Sequence, residues 1–170
     1  VSNAVDLNEL IIMKKLKHHK YIAECINGGI HCRHHDSGQE VLVPTSKLQI
    51  LIGNNLRLPK IIAEYGWIQM QLYQITLRQA ITNSETHNYF FRIKIMTQLV
   101  DAIDHLRRLK ITHCDVKPEN IFLDVISDVK LGDFGIAKEC YENNWVRAQG
   151  TEEYMAYEIM KAMYAREMIP

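Results

Sequence analysis

The chain has 170 residues, enough for one domain, and its 20 Lys and Arg balance its 20 Asp and Glu. A formal net charge of zero supplies no electrostatic case for nucleic acid or an anionic membrane as partner. Four cysteines (Cys25, Cys32, Cys114, Cys140) lie far apart with no C-x-x-C pair, so reduced thiols and a cytoplasmic or nuclear location are expected.

No apolar run approaches the roughly 20 residues of a membrane span, and no signal-peptide pattern is visible. The first residue is Val1 rather than methionine, so a fragment or a processed product is expected.

Val5 to Lys17 reads as a helix. Leu7, Leu10, Ile11, Met13 and Leu16 approximate an apolar stripe, and Asn3 or Asp6 is placed to cap it. Tyr21 to Ile30 reads as a strand with its turn, the turn at Gly28-Gly29. His31-Cys-Arg-His-His-Asp crowds four soft or borderline ligands into one polar segment. Zinc needs paired ligands at defined spacing and no second cluster follows, so a solvated loop is expected. Asp36 to Pro59 mixes Ser, Gly, Asn and Pro with short apolar runs and looks like an insertion, spanning about 31–60. Trp67 to Leu72 (WIQMQL) reads as a buried strand with Tyr73 at its end. Tyr89 to Leu109 is the strongest helix, with Phe91, Ile95, Met96, Leu99, Ile103 and Leu106 on one wide face, flanked by Val100 and Leu109. Asp104 and Arg108 form an i,i+4 ion pair on its polar side.

Ile111 to Gly135 carries the chemistry. It holds Asp115, Lys117 and Asn120 in one short loop and Asp133 before Phe134 and Gly135, with β-type runs at Asn120-Ile-Phe-Leu and Val129-Lys-Leu between them. Phosphoryl transfer needs this set: a carboxylate to orient a hydroxyl, a cation to steady the transferred group, and an amide and a carboxylate for metal ions.

The spacing His113-x-Asp115-x-Lys117-x-x-Asn120, followed by Asp133-Phe-Gly, closely resembles the catalytic segment of eukaryotic protein kinases. Gly150-Thr-Glu-Glu-Tyr-Met-Ala-Tyr-Glu resembles the end of that family's activation segment, with Tyr157 in place of a proline. The resemblance implies an α+β, protein-kinase-like fold. It would comprise a partial N-lobe over 1–72 (helix αC and the fourth and fifth strands) and the first half of the helical C-lobe over 73–170 (αD, αE, catalytic loop and activation segment).

It further implies that the chain transfers the ATP γ-phosphoryl group to a protein Ser/Thr hydroxyl, with ATP and Mg2+ as cofactors and a protein substrate as partner. Asp115, Lys117 and Thr151 would be catalytic, and Asn120 and Asp133 would hold magnesium. Glu9 would be the αC glutamate that pairs with a strand lysine. Met70 would guard the adenine pocket, and Gln71, Leu72 and Tyr73 would form the hinge. Phe134 would pack near Met13 and His113.

I-Q-M-Q-L followed by T-L-R-Q-A-I is also similar to the kinases that phosphorylate translation initiation factor 2. Cys114 stands where the family has an arginine that receives an activation-loop phosphate, and Asp115 beside it should raise its pKa. The glycine-rich loop and the strand lysine have no counterpart before Glu9, and the central helix αF would begin only after Pro170. On that reading ATP–magnesium binding by the isolated chain should be weak or absent, and part of the αE surface should be exposed. The alternative is a catalytically dead kinase-like module that binds or mimics part of an intact kinase. A metal- or nucleic-acid-binding protein has only the histidine cluster behind it.

Overall fold

A computed structural model of the chain describes residues 7–16, 18–34, 37–44, 61–83, 88–140 and 146–169. Asn3 and Asp6, the expected helix caps, lie outside them. The chain divides into two compact units, 1–15 with 24–71 and 16–23 with 72–170.

The first unit pairs a helix with an antiparallel sheet. Helix α1 (Asn8–Lys15) has Glu9 in its first turn and Lys14 and Lys15 in its last, which complements the helix dipole. Its buried positions are Leu10, Ile12 and Met13, while Ile11, expected on the buried stripe, is half exposed. Strands β1 (Cys25–His34), β2 (Glu40–Pro44) and β3 (Ile61–Met70) form a sheet in the order β2-β1-β3.

Three expectations differ from the structure here. Gly28-Gly29 lies inside β1 and is not a turn. A Cβ on Gly29 would collide with the Val43 carbonyl of β2, so glycine permits close strand approach at this point. The segment expected to be a solvated loop from His31 instead continues β1 to His34, with His31 and Cys32 buried and His31 Nε2 at 3.4 Å from Glu40 Oε2. The expected buried strand at Trp67 is the end of the ten-residue β3; Trp67 and Ile68 are half-buried, Met70 is exposed, and Leu72 lies beyond the strand at 89% exposure.

The second unit is built on a long helix and a β-hairpin. Strand β4 (Ile75–Thr76) leads into α2 (Leu77–Thr82), whose start is fixed by a capping box between Thr76 and Gln79. Helix α3 (Tyr89–Arg108) is capped by Asn88, which accepts from the Phe90 N–H at 2.8 Å. It matches the expected bounds within one residue. Asp104 binds both Arg107 and Arg108, the latter at 2.6 Å.

Of the expected face, Ile95 and Leu106 are buried, joined by Gln98 and Ala102, while Met96, Val100 and Ile103 are exposed. Strand β5 (Ile111–Thr112) follows, then a 3-10 turn over Pro118–Asn120 and the hairpin β6 (Ile121–Leu123)–β7 (Val129–Leu131). Strand β4 adds to β6, β8 (Lys138–Glu139) pairs with β5, and residues 21–23 run along β7 through Ala23 N to Leu131 O at 2.8 Å. Strands β9 (Val146–Arg147) and β10 (Met168–Ile169) pair around a 3-10 turn at Glu152–Tyr154 and helix α4 (Tyr157–Ala165).

The hairpin is pinned to α3 by a polar knot. Gln98 Oε1 accepts from Val129 N–H at 2.8 Å and Gln98 Nε2 donates to Asp128 Oδ1 at 2.6 Å, all of it buried. Each buried polar atom named there has its partner, as burial requires.

Candidate active site

Asp115, Lys117, Asn120 and Thr151 come from two stretches of the second unit and converge on one carboxylate. Asp115 Oδ1 accepts from Thr151 N–H at 2.9 Å and from Thr151 Oγ1 at 2.6 Å. Asp115 Oδ2 accepts from Asn120 Nδ2 at 3.0 Å and lies 2.8 Å from Lys117 Nζ. Lys117 Nζ also donates to Thr151 Oγ1 at 2.8 Å. A carboxylate offers about four lone-pair sites, and these four donors fill them. Burial alone would raise the Asp115 pKa, but hydrogen bonds from Lys117, Thr151 and Asn120 outweigh it and hold the carboxyl below its usual range. The Asp115 hydrogen bond pushes Lys117 upward in turn.

Local backbone explains how the groups meet. Cys114 sits at φ 68°, an unusual conformation for a side-chain-bearing residue, and turns the chain into Asp115. Gly150 has φ 137° and packs on the Cys114 carbonyl, where any Cβ would collide. That close approach delivers Thr151 to Asp115.

His113 is buried and holds the loop from behind. The Asp115 N–H donates to His113 Nδ1 at 3.3 Å, so the ring proton belongs on Nε2, which donates to the Gly132 carbonyl at 2.9 Å. Burial pushes its pKa down and keeps the ring neutral. Phe134 is fully buried with its ring 4.8 Å from the His113 ring.

Asn120 is buried, and its Nδ2 donates to both the Asp115 carboxylate and the Asp115 main-chain carbonyl, the latter at 2.9 Å. With both amide hydrogens committed, Oδ1 is the atom left for a hard cation. Asp133 follows Gly132, whose N–H donates to Asn120 O at 2.9 Å; it adopts φ 60° and is exposed. One amide oxygen and one exposed carboxylate suit magnesium, which keeps several waters and leans on phosphate oxygens. Among the described residues no group of three or more His, Cys, Asp or Glu forms a self-sufficient metal site.

The expected nucleotide residues are divided between the two units. Glu9 and Met70 line one cavity of about 320 Å3 in the first unit, with Leu7, Leu10 and Trp67. Gln71 N donates to Glu24 O at 3.2 Å, and Tyr73 in the second unit stacks on Phe122 at 5.6 Å. Burial, then the Cys140 thiol, raise the Cys114 pKa; Asp115, the expected cause, contributes less. The sequence reading missed Gln98 and Asp128, whose only signal was one glutamine on an otherwise apolar helix face.

Comparison with known proteins shows the family. The sequence pattern of the family described as "Protein kinase domain" matches residues 2–168. The chain is 49% identical over 65 residues to the serine/threonine-protein kinase AtPK2/AtPK19 of Arabidopsis thaliana, a match covering 38% of the chain and 14% of that protein. It is 48% identical over 67 residues to the ribosomal protein S6 kinase alpha-6 of Mus musculus, covering 38% of the chain and 9% of that protein. To the eIF-2-alpha kinase GCN2 of Arabidopsis thaliana it is 40% identical over 77 residues, covering 44% of the chain and 6% of that protein. The matched stretches thus span between 6% and 14% of these relatives' lengths. With the family pattern running through nearly all of its residues, the chain belongs to the protein kinase domain family.

Proposed function

We propose that the chain works within a protein Ser/Thr kinase, with Asp115 as the group that orients the substrate hydroxyl and accepts its proton. The observation that carries this reading is the convergence of Lys117, Asn120 and Thr151 on the Asp115 carboxylate. A carboxylate held below its usual pKa stays ionised at neutral pH, ready to receive a hydroxyl hydrogen bond.

All four of its acceptor sites are taken, so a substrate hydroxyl must displace one donor. Lys117 is the one to move, because its amine is a point charge on a flexible stem, whereas the Thr151 N–H and the Asn120 amide are fixed by backbone. Swinging toward the phosphoryl group, Lys117 frees a site on Asp115 Oδ2 for the incoming hydroxyl. ATP with Mg2+ supplies the electrophilic phosphoryl group and charge neutralisation at its oxygens. Asn120 Oδ1 and Asp133 are the atoms offered to the metal. Glu9 and the stretch Met70, Gln71, Leu72 and Tyr73 serve nucleotide positioning on this reading.

The ordered set around Asp115 favours catalysis over the non-catalytic module. A relative named for eIF-2-alpha makes initiation factor 2 the first protein substrate to try. The test is labelled-phosphate transfer by the intact protein. Asp115→Asn should lower kcat by about a hundredfold or more, and Lys117→Ala should do the same with little change in ATP affinity. Transfer undiminished in Asp115→Asn refutes the assignment.

A further inference from the structure

We infer that Arg78 is a positioning residue that holds together the two arms meeting at Asp115; the inference rests on the kinase reading of that site. Arg78 lies on α2 and donates from Nε to Glu119 Oε1 at 2.6 Å. Its Nη2 donates to the Tyr154 hydroxyl. These partners are 41 and 76 residues away in sequence.

Each partner sits at the base of one arm. Glu119 is in the 3-10 turn Pro118–Asn120, next to the asparagine whose amide binds Asp115. Tyr154 closes the 3-10 turn Glu152–Tyr154, with its N–H on Thr151 O at 3.0 Å, and Thr151 is the residue that caps Asp115. One planar guanidinium with donors in a fixed fork therefore sets the spacing between the arm carrying Asn120 and the arm carrying Thr151.

The strut has a firm footing. Thr76 and Gln79 fix the first turn of α2, and Ile75 and Thr76 pair with Leu123 and Phe122 of the hairpin that follows Asn120. Ala80 of α2 is fully buried. Among the described residues Glu119 Oε2 is buried without a hydrogen-bond partner, and Glu119 Oε1 is paired with Arg78.

Arg78 and Glu119 side chains are 43% and 42% exposed. An ion pair at that exposure adds little to global stability. Its effect belongs to local geometry, and that separates the two outcomes by experiment. Hydrogen–deuterium exchange of the intact protein, without nucleotide or substrate, reads the peptide spanning residues 148–155, which contains the Thr151 amide bonded to Asp115.

Arg78→Ala should speed exchange of that peptide by roughly fivefold, the upper end for an exposed pair, while the α3 peptides stay unchanged. Tyr154→Phe, which removes one oxygen, should give a smaller change in the same peptide. Arg108→Ala, which breaks an exposed pair with Asp104 on α3, should give none. In transfer assays Arg78→Ala should lower kcat with KM for ATP unchanged. Unaltered exchange in 148–155 for both Arg78→Ala and Tyr154→Phe overturns the inference. Absence of transfer by the wild-type protein would instead sink the kinase reading, and the exchange result would still stand.

Discussion

Replacing Asp128 should cost stability in a pH-dependent way that identifies its cause. The carboxylate is buried at 6% side-chain exposure and receives Gln98 Nε2 at 2.6 Å, Lys94 Nζ at 2.9 Å and Lys20 Nζ at 3.4 Å. Burial by itself would raise its pKa, but the hydrogen bonds from Gln98, Lys94 and Lys20 reverse the direction and bring it from 3.8 to about 2. At about 1.4 kcal/mol for each pH unit that drop is worth roughly 2 kcal/mol. The Lys94 and Lys20 side chains are 37% and 64% exposed, so solvent screening trims it to about 1–2 kcal/mol. A carboxyl whose pKa is lower in the folded state stabilises above its unfolded value. That contribution is present above about pH 4 and is lost as pH falls toward 2. Asp128→Asn keeps an acceptor for Gln98 and loses the charge together with the oxygen that faces Lys20. Asp128→Ala also strands the buried Gln98 amide, adding about 1 kcal/mol or more. Urea unfolding followed by circular dichroism gives the midpoints at pH 7 and near pH 2. Asp128→Asn should show a deficit at pH 7 that closes near pH 2. A wild-type midpoint for Asp128→Asn at pH 7, or a deficit that survives undiminished near pH 2, refutes the reasoning.

His113 should make the fold acid-sensitive in a different window. Burial holds its pKa below the ordinary 6.5, so the unfolded chain takes up a proton that the folded chain resists, and stability falls as pH drops through about 6.5. His113→Phe should flatten that segment of a stability-versus-pH curve while costing about 1–3 kcal/mol through the lost Gly132 and Asp115 contacts. Gly150→Ala combines a φ of 137° with a collision at the Cys114 carbonyl, so Thr151 should leave Asp115. Phosphate transfer should fall by about tenfold or more, with the α3 amides still protected in hydrogen exchange. Gly29→Ala should force β2 off β1, at about 1–3 kcal/mol, and deuterium uptake over residues 40–44 would report it.

What the sequence made legible follows from where each kind of information resides. Asp115, Lys117 and Asn120 could be named because phosphoryl transfer uses a carboxylate, a cation and an amide, and Thr151 because the stretch around it resembles the end of a kinase activation segment. Helix α3 was legible in extent, since apolar residues from Phe91 to Leu106 recur at a helical period. Its buried side was legible only at Ile95 and Leu106. Periodicity counts apolar character, whereas Gln98 is buried because it satisfies Val129 N–H and Asp128 together, and Met96 and Val100 are left exposed. Gly28-Gly29 misled for a related reason. A missing Cβ serves a turn and a close strand contact equally well, and only the Val43 carbonyl tells them apart. His31 and Cys32 read as loop because their polarity hid a strand that buries both. Arg78 lay furthest out of reach. Its partners at 41 and 76 residues leave no local pattern, and an arginine on a short helix looks the same whether it faces solvent or braces the loop around Asp115. The groups proposed to perform the chemistry are thus written in the sequence one by one. The groups that hold them at the right distance are written only as pairs, and a pair acquires meaning when the fold brings its members together.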